Sequence, residues 1–216
     1  MINGGFLDNT GLYRGEMGLV VFFLRYARYT QNELYTEYSY GLIDNLWNRI
    51  NYETPIDYKN GLAGIGSGIE YLVQKGFVEA DTDELLEDFD DRIFFTFNLQ
   101  KLPIEDIMDI GYYASWRLSG NSSKKDIIQQ TVLPQIEKVM HERSVNPVLI
   151  LSFTKTRPAS FFKKTSGHCT ELIEKNVFWN QAMGLQDGLA GWGLSLLTEL
   201  DGDDSWFSLL PNDITL

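Results

Sequence analysis

The 216-residue sequence predicts an all-α fold of repeated helical hairpins. Three observations support this fold class: a glycine motif recurs along the chain, apolar segments with helical spacing follow it, and strand signals are scarce. The Asn60-Gly61 pair is expected to open a helix, because no alternating apolar runs flank it as they would in a β-hairpin. No low-complexity linker divides the chain, so we expect a single domain over residues 1–216.

The recurring motif places two glycines three positions apart. Its Gly-x-x-Gly cores fall at 15/18, 61/64 and 188/191, and the first and last copies share the longer pattern Gly-Leu-x-x-Gly-x-x-Gly. The spacing of the first two cores suits a pair of helices. The faint stretches 109–114 and 146–151 are candidates for intervening units. The glycines of the three copies are Gly11, Gly15, Gly18, Gly61, Gly64, Gly184, Gly188 and Gly191.

The segments between the glycines have helical patterns. Residues 19–27 are almost all apolar, which predicts a buried helix. Residues 81–84 place acidic groups where the positive end of a helix dipole would lie, and Pro134 marks a kink or break in a later helix. The two amphipathic helices are predicted to bury Leu85, Leu86, Phe89, Ile93 and Phe94, and Ile127, Ile128, Val132 and Ile136.

Glycines at helix starts need a physical reason, since each costs roughly 0.5–1 kcal/mol relative to alanine inside a helix. Close backbone approach is the simplest reason. It would let neighbouring inner helices converge at one end and form a funnel or shallow cavity. Packing alone could explain the pattern. Alternatively, the helix N-termini could also direct amide donors towards an anion or a carbonyl group.

Composition restricts the partners and the location. The formal charge of −12 argues against nucleic acid or an anionic membrane as the main partner, and favours either a basic peptide or simply solubility. The first ten residues do not resemble a signal peptide, and no apolar run is long enough to span a membrane. Cys169 is the single cysteine, which excludes an internal disulfide. We therefore expect a cytoplasmic protein.

The glycine motif followed by an apolar helix, repeated at hairpin spacing, resembles the lanthionine synthetase C-like family. The most family-like stretch is 58–72, and the likeness covers about 1–95 and 178–200. The resemblance implies a complete or partial α/α toroid, with inner helices in a ring and outer helices around them. It also implies a zinc ion at the mouth of the ring, held by two cysteines and one histidine. In that family the zinc activates a peptide cysteine, which adds to a dehydrated serine or threonine.

The residues just before the repeat glycines are those that the resemblance places at the mouth. Here they are Tyr13-Arg14, Lys59-Asn60 and Gln186-Asp187, and none is the Cys-His pair of the family. With one cysteine the chain cannot supply a two-cysteine site, so we expect no zinc cofactor. His168 and Cys169, together with His141, are the weak alternative metal ligands.

Arg14, Asn60 and Asp187 occupy equivalent positions and are the leading candidates for binding. A guanidinium suits carboxylates, an amide suits a peptide backbone, and a carboxylate suits an amine. Tyr13, Lys59 and Gln186 accompany them at the predicted mouth. The alternative is that Asn60 and Asp187 cap helices while Arg14 is merely solvated. No catalytic residue can be named.

The sequence thus predicts a lanthionine synthetase C-like protein associated with peptide modification, without its own zinc-dependent cyclisation. It would bind a peptide substrate or a partner modification enzyme. An inactive truncated cyclase is one alternative. Another is an α/α-toroid glycan-active enzyme, which needs two facing carboxylates and stacking aromatics. Its candidates are Glu16, Asp44, Asp57 and Asp187, with Trp47, Trp116 and Trp192. A shortened ring would also make a homo-oligomer plausible, and the acidic run 79–91 is predicted to be a solvated helix face.

Overall fold

The computed structural model describes residues 9–145, 183–186 and 188–210, and all regular secondary structure in these residues is helical. The all-α prediction is confirmed for them. The described residues belong to two compact units: 9–54 with 183–186 and 188–210, and 55–145. The single domain over 1–216 stays a prediction. Within the described ranges, no helix has the length and apolarity needed to cross a membrane.

The elements are named here in chain order. The α-helices are α1 (Glu16–Thr30), α2 (Glu33–Arg49), α3 (Leu62–Gln74), α4 (Thr82–Leu85), α5 (Glu87–Asp90), α6 (Ile104–Ser119), α7 (Lys125–Ile127), α8 (Leu133–Glu142) and α9 (Leu189–Asp201). The described part also contains π-helical segments at Asp91–Phe95 and Ile128–Val132, and 3-10 segments at Leu99–Lys101 and Ser205–Leu209.

The first unit is built on the hairpin of α1 and α2, with α9 packed against α1. Most side chains of α1 are buried, as the apolar run 19–27 predicts. The chain reverses at Gln31, which takes the left-handed conformation, and the Asn32 side chain accepts the Leu34 amide at 3.1 Å to start α2. A buried Arg25 bonds to Asp201 at 3.1 Å, which ties α1 to the end of α9.

The second unit is organised around the packing of α3 against α6. Arg117 on α6 is fully buried and donates to three carboxylates from other segments. Its Nη2 lies 2.9 Å from Asp90 and 2.6 Å from Asp83, and its Nη1 bonds to Glu70 on α3. These bonds hold α3, α4 and α5 to one side chain. We refer to Arg117, Glu70, Asp83 and Asp90 as the arginine cluster.

Electrostatics in the arginine cluster favour the ionised form of Asp83. Burial acts to raise the pKa of Asp83, but hydrogen bonds from Ser123, Ser122 and Arg117 outweigh it and hold that pKa well below its usual range. The Ser123 amide is 2.7 Å from Asp83 Oδ2. The cluster therefore also fixes the turn between α6 and α7.

The amphipathic helix predicted after Asp81 is divided into α4, α5 and the π-helix Asp91–Phe95. Asp81 caps its start, as the acidic residues suggest, and accepts the Asp83 amide at 2.9 Å. Leu86 has ψ 13°, outside α geometry, and separates α4 from α5. Four of the five predicted apolar positions are buried, namely Leu86, Phe89, Ile93 and Phe94. Leu85 is 39% exposed, so its prediction was wrong: residues 85 and 86 point in directions about 100° apart, and only Leu86 faces the core.

The predicted helix after residues 121–123 is also segmented. Ile128, Val132 and Ile136 are buried as predicted, whereas Ile127 is 41% exposed for the reason that applies to Leu85. Pro134 lies in the first turn of α8, where the π-helix Ile128–Val132 gives way to α geometry. The predicted kink is thus a change of helix type.

One candidate repeat start is corrected by the structure. Residues 109–114 lie inside α6, which begins at Ile104, so they do not open a helix. The other candidate, 146–151, lies outside the described residues.

Candidate functional site

The three motif glycines that precede α1, α3 and α9 act as N-caps with nearly the same backbone conformation. Gly15 has φ −125° and ψ −165°, Gly61 has φ −116° and ψ −163°, and Gly188 has φ −118° and ψ 172°. None of these caps uses a side-chain hydrogen bond. The alternative that Asn60 caps a helix is therefore wrong, because Gly61 occupies that position.

Backbone carbonyls replace the missing capping side chains. At α1, the amides of Glu16 and Met17 donate to the carbonyls of Asn9 and Thr10, at 3.0 and 3.2 Å. At α3, Leu62 and Ala63 donate to Pro55 and Ile56, at 2.8 and 3.3 Å. At α9, Ala190 and Gly191 donate to Met183 and Gly184, both at 3.2 Å. In every case the acceptor precedes the donor by seven residues. The chain before each helix therefore folds back over its first turn and satisfies amides that helix geometry leaves unpaired.

The glycines permit this closure for a steric reason. A Cβ on Gly15, Gly61 or Gly191 would fall inside the contact distance of the carbonyl oxygen of Asn9, Pro55 or Leu185, respectively. At these three glycines the close approach that we predict is present, and the nearest atom belongs to the preceding turn of the same segment and not to a neighbouring helix.

Two of the turns do meet in the first unit. The Gln186 amide donates to the Tyr13 carbonyl at 3.0 Å, and a Cβ on Gly184 would overlap the same carbonyl. A Cβ on Gly18 would lie 3.0 Å from the Leu185 nitrogen. The starts of α1 and α9 are therefore neighbours, whereas the turn at 55–61 belongs to the other unit. Convergence of all three helices stays a prediction.

The predicted mouth residues differ in exposure. Arg14 and Lys59 are exposed, Asn60 and Gln186 are half-buried, and Tyr13 is buried with the core. Asp187, His168 and Cys169 lie outside the described residues. Tyr13 contributes its carbonyl to the contact between two turns, and its side chain is 2% exposed.

Three carboxylates meet where the turn before α3 lies against α6: Asp57 of the turn, and Asp106 and Asp109 of α6. We call this group the acidic site. Asp109 Oδ2 accepts the Tyr58 amide at 2.9 Å, so this α6 carboxylate lies against the turn directly beside Asp57. Asp106 is one helical turn before Asp109 on the same face of α6. Asp57 accepts the amides of Lys59 and Asn60 at 3.0 and 2.7 Å, which shapes the turn. The three carboxylates are half-buried.

The proximity of these groups changes their titration. Burial, together with the charges of Asp57 and Asp106, raises the pKa of Asp109 to about 6, although the Tyr58 amide and Lys59 act in the opposite direction. Burial and the charges of Asp57 and Glu105 also raise the pKa of Asp106. A half-buried carboxyl group that titrates near neutral pH is typical of sites that bind cations or transfer protons.

An aromatic layer supports the acidic site. Tyr58 is 1% exposed, and its hydroxyl accepts the Trp116 indole N–H at 3.1 Å. Its ring packs edge-on against Tyr112 at 5.8 Å. Tyr58 therefore joins the turn to α6 through both its amide and its hydroxyl.

The described side chains do not fit the zinc site of the family that the sequence resembles. The residues before the glycine caps offer no thiol or imidazole, and the chain has one cysteine. Among the described residues, no three His, Cys, Asp or Glu side chains are arranged to share a metal ion. The carboxylates of the acidic site interact through their charges.

The carboxylates that the sequence suggests for a glycan-active enzyme differ in their burial and in their location. Glu16 is 1% exposed and forms an ion pair with Arg49 at 3.0 Å, and burial raises its pKa while Arg49 lowers it. Asp44 is exposed on α2. Asp57 lies in the acidic site of the second unit, and Asp187 lies outside the described residues.

The sequence reasoning missed Asp106 and Asp109 as site residues. The signal was the spacing of these two acids by one turn within a largely apolar helix.

Replacing Asp109 with asparagine is expected to stabilise the protein at pH 8. The folded-state pKa of Asp109, about 6, exceeds the ordinary value of 3.8, so the native state binds its proton more tightly than the unfolded state. Stability from this group is then greatest below the ordinary pKa and is lost as the pH rises through about 6. We expect a gain of about 1 kcal/mol at pH 8 after allowing for solvent screening. The gain should vanish at pH 4.

Urea titration of the wild type and Asp109→Asn at both pH values measures this difference. Asp126→Asn, at an exposed position on α7, is the matched control. It should leave the free energy of unfolding unchanged at both pH values. The acid-side stabilisation by Asp83 does not interfere, because it is lost only as the pH falls below the ordinary value of 3.8. An Asp109→Asn protein that is less stable at pH 8 would contradict the assigned environment.

Comparison with protein-family models, curated proteins and solved structures gives no match to this chain.

Proposed function

We propose that this chain is a cytoplasmic, lanthionine synthetase C-like protein that binds a peptide without cyclising it through zinc, and that its helices form a complete or partial α/α toroid. The observation that carries the proposal is the shared start of α1, α3 and α9. Each has a glycine N-cap in the same conformation and the same backbone closure. Such agreement between distant segments of one chain supports the repeat pattern and, through it, the family resemblance.

Peptide binding is assigned to the acidic site because its chemistry suits an amine. Asp57, Asp106 and Asp109 place negative charge beside a turn that also contains the predicted binding residues Lys59 and Asn60. A lysine side chain or an N-terminal amine would relieve the repulsion between these carboxylates. It would also lower the pKa of Asp109, so binding should release a proton near pH 6.

The absence of zinc-dependent cyclisation follows from donor chemistry. Thioether formation of the family's kind requires a cysteine-rich zinc site, and a single cysteine cannot provide one. The protein would instead present a peptide to a partner enzyme or hold the product. Metal analysis of the purified protein tests this part: one tightly bound zinc per chain would overturn it.

Calorimetric titration with a synthetic peptide tests the binding. The probe contains serine, threonine and cysteine around a central lysine, and its control is N-acetylated with glutamine in place of lysine. We expect Asp109→Asn to weaken binding of the lysine peptide about tenfold at pH 7, and Asp126→Asn to leave it unchanged. Equal affinity for both peptides, or for wild type and Asp109→Asn, would contradict the proposal.

A second candidate, glycan hydrolysis, is favoured by one observation. Asp109, with a pKa of about 6, lies beside Asp57, and an acid–base pair needs one carboxyl group that retains its proton near neutral pH. Release of reducing ends from soluble polysaccharides would support this candidate if Asp109→Asn lowered the rate at least about a hundredfold. Lysine-dependent peptide binding without such release would eliminate it.

A further inference from the structure

Tyr58 contacts α6 at two points. Its amide donates to Asp109 Oδ2 at 2.9 Å, and its hydroxyl accepts the indole N–H of Trp116 at 3.1 Å. Asp109 and Trp116 both belong to α6, and their separation of seven positions corresponds to a rise of about 10 Å. The two hydrogen bonds therefore hold the turn before α3 against about two turns of α6.

The indole of Trp116 and the hydroxyl of Tyr58 are both held by the core of the second unit. Tyr58 is 1% exposed, and its hydroxyl also interacts with the fully buried Ser67 of α3. The Trp116 ring packs edge-on against Tyr71 of α3, with the ring centroids 6.2 Å apart. Contacts with α3 thus limit the rotation of both side chains, and the hydrogen bond between them has a defined geometry.

The attachment of the turn to α6 has to withstand repulsion between carboxylates. Asp57 on the turn and Asp109 on α6 carry like charges once Asp109 ionises, which happens as the pH rises through its pKa of about 6. Three charged groups act on Asp109: Asp57, Lys59 and Asp106. The hydrogen bond from Trp116 joins two neutral groups, because burial raises the pKa of Tyr58 well above its usual value. This bond therefore persists at a pH where the carboxylates repel one another.

We propose that Trp116 is a positioning residue for the acidic site, and that it acts through the hydroxyl of Tyr58. By fixing Tyr58, it keeps Asp57 of the turn beside Asp106 and Asp109 of α6. The use of this arrangement to bind an amine rests on the proposed function, whereas the arrangement itself does not.

Loss of the Trp116 hydrogen bond should change the titration of Asp109 in a defined direction. If the turn moves away from α6, Asp109 loses burial and the charge of Asp57, which raise its pKa, and the Tyr58 amide, which lowers it. Burial is the largest of these effects, so the pKa of Asp109 should fall towards the ordinary value of 3.8. A residue that only fills space would lower the stability of the protein and leave this pKa unchanged.

NMR titration of the aspartate carboxyl carbons in the full chain tests the proposal, with Asp109→Asn used to assign the resonance. Trp116→Phe keeps an aromatic ring and removes the hydrogen-bond donor, whereas Tyr58→Phe removes the acceptor and keeps the backbone amide. Each substitution should lower the pKa of Asp109 from about 6 to below about 5. Because both delete the same hydrogen bond, the double variant should show no further fall.

Trp206→Phe is the matched control. It removes an indole hydrogen bond of 3.0 Å to Thr198 in the other unit, from a residue that is 2% exposed, and should leave the pKa of Asp109 unchanged. Calorimetric titration with the lysine peptide at pH 7 gives a second readout. Trp116→Phe and Tyr58→Phe should each weaken binding about fivefold, and Trp206→Phe should not. Circular dichroism confirms that each variant is folded.

The outcomes separate this proposal from the proposed function. An unchanged pKa of Asp109 in folded Trp116→Phe or Tyr58→Phe, or an equal fall in Trp206→Phe, would overturn the positioning role of Trp116. Undiminished peptide affinity in Trp116→Phe would overturn it as well. If the wild type does not bind the lysine peptide but the pKa falls as expected, the proposed function fails and the positioning role stands. Should Trp116→Phe fail to fold, Tyr58→Phe decides the outcome by the same measurements.

Discussion

Replacing Arg117 with methionine is expected to destabilise the protein by about 3–5 kcal/mol. Methionine matches the aliphatic part of the arginine but supplies no hydrogen-bond donor. Glu70 and Asp90, which are 1% and 0% exposed, would then be buried without a cation within hydrogen-bond distance. Removing one partner of a buried ion pair is severe because the remaining charge keeps its desolvation penalty. Urea titration at pH 7, followed by circular dichroism, measures the loss.

Two control variants separate the effect of the buried cluster from that of an ordinary ion pair. Lys138→Met breaks an exposed pair with Glu142 at 4.0 Å, where the side chains are 69% and 47% exposed, and it should have almost no effect. Arg117→Lys retains the charge but cannot reach three carboxylates in a fixed fork, so it should recover only part of the loss. If Arg117→Met lowers the free energy of unfolding by less than about 1 kcal/mol, water or Lys124 must stabilise the buried carboxylates in place of the guanidinium. That result would contradict the structural role of Arg117.

The arginine cluster could not be predicted from the sequence. Arg117 lies 47 positions from Glu70 and 27 from Asp90. Periodicity detects which face of a helix is apolar, but it does not show which charged residue on one helix enters the core beside another. The acidic run 79–91 is predicted to be a solvated helix face, and exposure confirms this for six of its acids: Glu79, Asp81, Glu84, Glu87, Asp88 and Asp91. Asp90 in the same run is fully buried.

Helix starts were predictable because their cause is local. The glycines at 15, 61 and 188 identify the residues before α1, α3 and α9, and the apolar run 19–27 identifies a buried helix. The reason for the glycines was only partly predictable. Motif spacing indicates close approach, but whether the approaching backbone is a neighbouring helix or the preceding six residues depends on the path of the loop. That path is set by hydrogen bonds such as Leu62 to Pro55, which leave no pattern in the sequence.

Prediction of the acidic site from the sequence is limited in the same way. Lys59 and Asn60 could be selected because they precede a motif glycine. The sequence marked Asp109 only by its one-turn spacing from Asp106, and it could not show that this helix packs against the turn or that burial and Asp57 raise the pKa of Asp109 to about 6. Site prediction from a single sequence therefore found the turn and missed the side chains that pack against it.

The most direct test of the glycine turns is Gly61→Ala, which is expected to destabilise the protein by about 3 kcal/mol. The backbone of Gly61 is in an extended region that alanine also adopts, so the effect is steric and not conformational. A Cβ would overlap the Pro55 carbonyl oxygen and come within 2.6 Å of the Pro55 carbonyl carbon. Relief would require the turn to move away and break the bonds from Leu62 and Ala63, which cap α3.

Gly41→Ala is the matched control and should have the opposite sign. Gly41 is exposed within α2, and a Cβ there would meet nothing within 4 Å, so alanine should stabilise the helix by about 0.5–1 kcal/mol. The two substitutions are chemically identical, and thermal or urea unfolding measures both. If Gly61→Ala changes the free energy of unfolding as Gly41→Ala does, the motif glycines are ordinary helix-start residues. The backbone closure would then lose its physical basis, and with it the support for the repeat pattern and the family resemblance. If instead the signs differ, Gly191→Ala, whose Cβ would overlap the Leu185 carbonyl in the other unit, should behave like Gly61→Ala.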